Sequence, residues 1–233
     1  MSNIPYRTAL IVGAGSDISA SVARALAAEG VKVGLAARDA DKLSPLAGEI
    51  GAIRFQVDAT EPAAVASLFE QADAQLGEPD IVLYNASGRT RGPIAELDPE
   101  AVRESLAVSA YGGFLVTRQA ARRMVPRRHG AILLTGASAS IKGFALSAPF
   151  AMGKFALRGL AQSAARELAP LGIHVAHFVI DGGVRSPSRP DPADRPDSTL
   201  DPDAIARSYL DVLGQPRSAW SWEVELRPWT ETF

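Results

Sequence analysis

The stretch Thr8-Ala9-Leu10-Ile11-Val12-Gly13-Ala14-Gly15-Ser16-Asp17-Ile18-Ser19 decides how the chain folds. Thr8–Val12 is a short apolar run without polar alternation, which predicts a strand buried on both faces. Gly13 and Gly15 then mark a tight turn. Ser19–Glu29 is alanine-rich, with Val22, Ala25 and Leu26 on one face and Gly30 beyond it, so it predicts a helix ending at a glycine cap. Working outward, the alternation continues. Strands are expected at Val31–Ala36, Ile53–Val57, Ile81–Tyr84, Ala131–Thr135, Ile173–Ile180 and Trp220–Leu226. Helices are expected at Ala40–Ile50, Glu61–Leu76, Pro99–Met124 (broken at Gly112-Gly113), Phe150–Ala169 and Asp203–Leu213. Strands separated by helices imply right-handed crossovers and a parallel sheet covered on both faces. No repeat or linker interrupts the pattern. The expected fold class is α/β, a doubly wound parallel sheet of about seven strands, in a single domain over residues 1–233. Within it, 185–202 is a proline-rich loop or lid, and 214–233 an aromatic C-terminal strand and tail.

A chain of 233 residues buries roughly 70–75% of its unfolded surface without help from a metal or disulfide. Lys plus Arg number 24 against 26 Asp plus Glu, a net charge of −2, which lacks the basic excess of a nucleic-acid binder. The absence of Cys excludes disulfides, a thiolate nucleophile, zinc–thiolate sites and iron–sulfur clusters. Three His argue against a histidine-rich metal site. No apolar run reaches the ~20 residues that span a bilayer, and Met1–Arg7 carries no charged-then-apolar leader. The expectation is a cytoplasmic protein with a small-molecule substrate and neither nucleic acid nor membrane as partner.

In doubly wound sheets ligands bind beyond the carboxyl ends of the strands, so the loops starting at Gly13, Asn85, Gly136 and Asp181 share one edge. A glycine turn there lets backbone approach a pyrophosphate, whose charge is met by helix N–H groups. Gly13, Gly15, Ser16 and Ile18 are the candidates; the alternative is a tight turn without a ligand. About 20 residues further on, nicotinamide folds carry an acid for an NAD ribose or an Arg for a 2′-phosphate. Here that position holds Arg38, behind Ala36-Ala37, which favours NADP over NAD. A solvated Arg38, with Asp39 in the ribose role, is the competing reading. Asp58, after the third strand, either accepts from an adenine amino group or caps the following helix.

Together these segments resemble the short-chain dehydrogenase/reductase family, across residues 5–226. Where the family's turn has Thr-Gly-x-x-x-Gly-x-Gly, this chain has Val12, Gly13, Asp17 and Ser19. Tyr84-Asn85-Ala86-Ser87 stands for Asn-Asn-Ala-Gly, Asp58 for the Asp after strand three, and Phe150-Ala151-Met152-Gly153-Lys154 for Tyr-x-x-x-Lys. Leu168–Val175 looks like the stretch before the sixth strand. Asp181-Gly182-Gly183 replaces a Pro-Gly turn, and Ser186 stands where a Thr usually meets the carboxamide. The resemblance implies a Rossmann-type fold and a nicotinamide cofactor, NADP or alternatively NAD, held also by Asn85, Ala86, Lys154 and Ser186. It implies hydride exchange with a small carbonyl or alcohol. It further implies a homodimer or homotetramer packed through Phe114, Leu115, Phe155, Leu157 and Leu160.

The family's catalytic groups carry over unevenly. Its proton-transferring Tyr becomes Phe150. Its oxygen-orienting Ser falls on Ala137, or on Ser138 with a one-residue slip. Its water-anchoring Asn falls on Ser109, and only Lys154 is unchanged. General acid catalysis is worth roughly 10²–10⁴-fold, so the resemblance implies an NAD(P)-dependent oxidoreductase with a non-standard proton donor. The available substitutes are Ser138, Ser140, Lys154 and Asp181. Their blander readings are loop hydroxyls bonding local backbone, a ribose clamp, and a turn residue. Tyr84, Tyr111 and His177 read as packing residues, and Asp17 as a helix-start carboxylate. The arginines between Arg118 and Arg128 read as a solvated face, and Trp220, Trp222 and Trp229 as core or subunit interface. Two other functions stay open: a catalytically silent relative binding nucleotide or metabolite, and a non-redox lyase or isomerase.

Overall fold

β1 (Thr8–Val12) is buried at every position, because it has parallel neighbours on both sides and a helical layer on each face. Those neighbours are β2 (Lys32–Ala37) and β4 (Ile81–Tyr84). With β3 (Ile53–Gln56), β5 (Gly130–Thr135), β6 (Ile173–Ile180) and β7 (Glu223–Leu226), they form a parallel sheet of seven strands in the order β3-β2-β1-β4-β5-β6-β7. The computed structural model describes residues 4–186 and 188–231. Residues 1–3 of the N-terminal segment, Pro187 of the proline-rich loop and residues 232–233 of the tail lie outside the described residues.

Strand alternation divides the core. Ala9 and Ile11 join the layer with α1 (Ile18–Ala28), α2 (Ser44–Ile50) and α7 (Pro202–Leu213). Leu10 and Val12 join the layer with α3 (Pro62–Leu76), α5 (Gly112–Arg127) and α6 (Ala148–Leu168). In the first layer the Phe178 ring stacks on Tyr209, with centroids 3.6 Å apart. Burying each such large side chain contributes ~1.5–3 kcal/mol. Among the described residues no helix is long and apolar enough to cross a membrane.

Four expectations are corrected. The helix over Pro99–Met124 does not break at Gly112-Gly113. It is α4 (Pro99–Leu106), a π turn at Ala107–Tyr111, and then α5. The glycines instead let α5 press close: a Cβ on Gly112 would lie 2.9 Å from the Ala59 carbonyl oxygen, and one on Gly113 2.5 Å from Leu157 Cδ1. The buried Tyr84 hydroxyl donates to the Val108 carbonyl inside the π turn. The last strand begins at Glu223, since Trp220 turns to stack on His174 at 4.6 Å. Leu115 and Leu157 belong to the core, whereas the outer face presents Tyr111, Phe114, Met152 and Phe155. Finally, the arginines between Arg118 and Arg128 are not all free on a solvated face: the part-buried Arg123 and the exposed Arg127 reach Asp73 at 2.7 Å and Asp80 at 2.8 Å.

His177 is the core histidine the sequence suggested. Its Nδ1 is 3.1 Å from Glu223 Oε2, and Nε2 is 3.4 Å from Ser140 Oγ. Glu223 is gripped from its other side by Arg158, at 2.6 and 2.8 Å. Burial pushes the imidazole down from 6.5 to about 4, against the opposing pull of Glu223. Between those values the unfolded ring holds a proton that the folded ring does not. Stability from this group is therefore complete above pH 6.5 and is lost as the pH falls through about 4. The loss over that window is roughly 3 kcal/mol. His177→Gln is expected to lose correspondingly less on acidification. Urea melts at neutral and mildly acidic pH read this, and parallel pH dependence in the two proteins would contradict it.

Candidate functional site

Strand order reverses between β1 and β4, so the loops leaving their carboxyl ends diverge and open a groove. Gly13 sits at φ 81°, and a Cβ there would lie 2.6 Å from Ala86 Cα. The turn is tied from below: Gly13 and Ala14 N–H groups both donate to the Ala36 carbonyl, at 2.9 and 3.0 Å. The Asn85 N–H donates to the Val12 carbonyl at 2.8 Å, and its side-chain amide to the Gly13 carbonyl at 3.4 Å. Ser19, at the place of the family's third glycine, accepts the Gly15 N–H at 2.8 Å. Asp17 does not cap α1. It is exposed and accepts from the Ser16 hydroxyl at 3.2 Å. The first N–H groups of α1 are thus left without a side-chain acceptor, where the helix end favours an anion.

The groove has two joined parts. One, of about 810 Å³, is lined by Gly13, Gly15, Ser16, Arg38, Asp58, Asn85 and Ala86, with Lys42 beside them. The other, of about 630 Å³, is lined by Gly15, Ser16, Ile18, Asn85, Ser138, Phe150, Lys154 and Ser186. Every residue put forward for a cofactor from the sequence therefore borders this groove. Asp58 accepts the Thr60 N–H and hydroxyl at 2.9 and 2.7 Å, which lowers its pKa. Arg38 is exposed and near enough to Asp58 to help hold that carboxylate charged.

The catalytic candidates separate. Lys154 is 3% exposed, with Nζ donating to the Thr135 carbonyl at 2.7 Å. Burial, then the charge of Arg89, push its ammonium down to about 7. Phe150 lies in the same wall, one helical turn earlier. The Ser138 hydroxyl borders the groove and makes no hydrogen bond within the described residues. The other candidates lie outside this lining. Ser109 is fully buried in the π turn and accepts the Gly88 N–H at 3.0 Å. Asp181 is 2% exposed, bound to Lys142 at 3.3 Å and near Arg227 at 3.6 Å, so its carboxylate is already neutralised inside the protein. Ser140 is fully buried, accepting the Ala137 N–H at 3.1 Å beside His177. The line Ser140–His177–Glu223 has the chemical order of a nucleophile, base and carboxylate, yet neither its hydroxyl nor its imidazole reaches the groove.

Sequence reasoning missed Arg89, Arg189 and Lys42. Arg89 places its guanidinium carbon 4.8 Å from the Phe150 ring centroid, and Arg89 and Arg189 both line the part containing Lys154. Lys42 lies beside Arg38 and Asp39, paired with the latter at 3.2 Å. The only signal was position, since each follows a strand that ends on the groove edge.

The family profile described as short chain dehydrogenase matches residues 7–192. An uncharacterized oxidoreductase of Staphylococcus saprophyticus is 30% identical over 98% of this chain and all of its own length. The 3-oxoacyl-acyl-carrier-protein reductase of Escherichia coli is 29% identical over 74% of this chain and 72% of its own. Among solved structures, a short-chain dehydrogenase from Rhodopseudomonas palustris superposes with a TM-score of 0.81 at 35% identity, covering 96% of this chain and 99% of that one. A metagenomic short-chain oxidoreductase in complex with NADP gives 0.85 at 28% identity, covering 97% and 99%. Fold, groove and relatives agree: the chain belongs to the short-chain dehydrogenase family of oxidoreductases.

Proposed function

We propose that the protein is an NADP(H)-dependent oxidoreductase of a small carbonyl or alcohol, with a non-standard proton donor. The observation that carries this reading is the buried Lys154, which borders the same groove as the glycine turn and keeps its ammonium on the Thr135 carbonyl. The residues present fit the cofactor: an uncapped helix start suits a pyrophosphate, and Arg38 with Lys42 suits a 2′-phosphate. In this reading Gly13, Gly15, Ser16 and Ile18 cradle the pyrophosphate and Asp58 meets the adenine. Asn85, Ala86, Ser186 and Lys154 border the nicotinamide half. When bound, the nicotinamide supplies the hydride. The Lys154 ammonium, held at about 7, can release a proton near neutral pH, which Phe150 cannot. The free Ser138 hydroxyl orients the substrate oxygen. Ser188 and Arg189 of the proline-rich loop border the site, and Arg185 anchors the loop on Asp191 and Asp201 at 3.1 and 2.8 Å. The relative solved with NADP supports the choice of cofactor. A silent nucleotide-binding protein is the second reading, favoured by the loss of both hydroxyls at Ala137 and Phe150. We also propose a homodimer or homotetramer formed through the exposed Tyr111, Phe114, Met152 and Phe155.

Three expected outcomes follow from this reading. By calorimetry, NADPH binds more tightly than NADH, and Arg38→Ala removes the difference, worth roughly 1.5–3 kcal/mol for a charge-assisted contact; equal affinities would refute the assignment. In solution, light scattering at micromolar concentration gives twice or four times the chain mass, and a monomer mass would sink the assembly. The Phe150→Tyr, Ala137→Ser double variant restores the missing hydroxyls. It should raise NADPH-dependent reduction of small ketones and aldehydes on the order of 10²-fold, with less from each change alone. A double variant that binds NADPH and stays inert would favour the silent reading.

A further inference from the structure

Arg89 lies in the loop leaving β4, with its guanidinium carbon 4.8 Å from the Phe150 ring centroid. Among the described residues no carboxylate, carbonyl or hydroxyl accepts a hydrogen bond from the Arg89 side chain, nor from that of Arg189 across the same groove. Arg123, Arg158 and Arg185 each hold a carboxylate; Arg89 and Arg189 hold none and share a groove wall with the buried Lys154. The wall of this part of the groove carries two guanidiniums and the Lys154 ammonium against one acid, Asp17, which is exposed at the start of α1 and accepts from Ser16.

Like charges gathered along one groove wall raise each other's cost. Arg89 and Lys154 do so here: after burial, the charge of Arg89 helps to lower the Lys154 pKa. Such a cluster is relieved when an anion enters. A guanidinium resting on an aromatic ring keeps its edge N–H groups available. Two of them match the two oxygens of a carboxylate, whereas a neutral carbonyl uses one donor direction only. Phe144 lines the same space as Phe150 and adds a second apolar surface. We propose that the groove takes a carbonyl substrate bearing a carboxylate, with the carboxylate held edge-on by Arg89 and the apolar part lying against Phe150 and Phe144. This inference rests on the oxidoreductase reading only for calling the occupant a substrate.

Benzoylformate and its methyl ester are suitable probes, because they share the ring and ketone and differ in the charge. Calorimetry on the wild-type protein, alone and with NADPH, is expected to show the acid binding about ten-fold or more tightly than the ester. Arg89→Gln should erase that ratio, leave NADPH affinity within about two-fold and leave the melting temperature unchanged, since Arg89 is exposed. Arg89→Lys, which keeps the charge but not the fork, should retain a reduced preference. Four results would overturn the proposal: equal affinities for acid and ester, no binding of either, a preference that survives Arg89→Gln, or a ten-fold loss of NADPH affinity in that variant. The last would give Arg89 to the cofactor phosphates. Failure of NADPH to bind at all would instead refute the oxidoreductase reading, while the acid-to-ester ratio on the free protein would still judge this one.

Discussion

Gly13 and Ala86 meet backbone against backbone where β1 and β4 lie side by side and the chain turns away from each in opposite directions. A side chain at Gly13 would push those two turns apart, and its positive φ would disfavour any other residue. From this contact the rest follows. It lets Asn85 hydrogen-bond back to Val12 and Gly13, and it brings the start of α1 to the rim. It also lets one groove run from Arg38 to Phe150. The departures from the family's glycine pattern leave this contact untouched. Asp17 turns to solvent and Ser19 ties the turn from within.

In the groove wall Phe150 presents a ring without a hydroxyl, and Ala137 a methyl beside the Ser138 hydroxyl. What stays is positive and poorly compensated: a buried ammonium with one carbonyl partner and a guanidinium lying over the ring. Behind that wall Ser140, His177, Glu223 and Arg158 form a continuous polar chain. Its members satisfy one another away from the groove, so they act as a scaffold for the wall and not as reacting groups.

Much of this was legible in the amino-acid sequence, for reasons that differ between residues. β1 could be read because a strand buried on both faces must be a continuous apolar run. The groove edge could be read because strand ends fall on it whatever the side chains do. Side-chain direction could not. Asp181 does follow β6, but Lys142 and Arg227, from distant parts of the chain, draw its carboxylate inward. Ser109 was located correctly on its helix, yet the π turn hands its hydroxyl to Gly88. Nothing in Ala107–Tyr111 announces that turn, since the carbonyl it frees is satisfied by Tyr84, which precedes it by more than one element. Arg89 escaped notice because a loop arginine gains its meaning from the ring it rests on, and that ring arrives with α6.

The salt bridge between Arg158 and Glu223 has a consequence for biosynthesis. Arg158 lies one turn beyond Lys154 on α6, and Glu223 opens the strand that completes the sheet. During translation Lys154 leaves the ribosome well before Glu223 is made, so for that interval the helix carrying the ammonium lacks the strand that braces it. The glycine turn waits as well, because α1, which follows it, packs on α7 (Pro202–Leu213), and that helix is also made after Lys154. Both halves of the groove are therefore completed by the same C-terminal segment, α7 for one and β7 for the other.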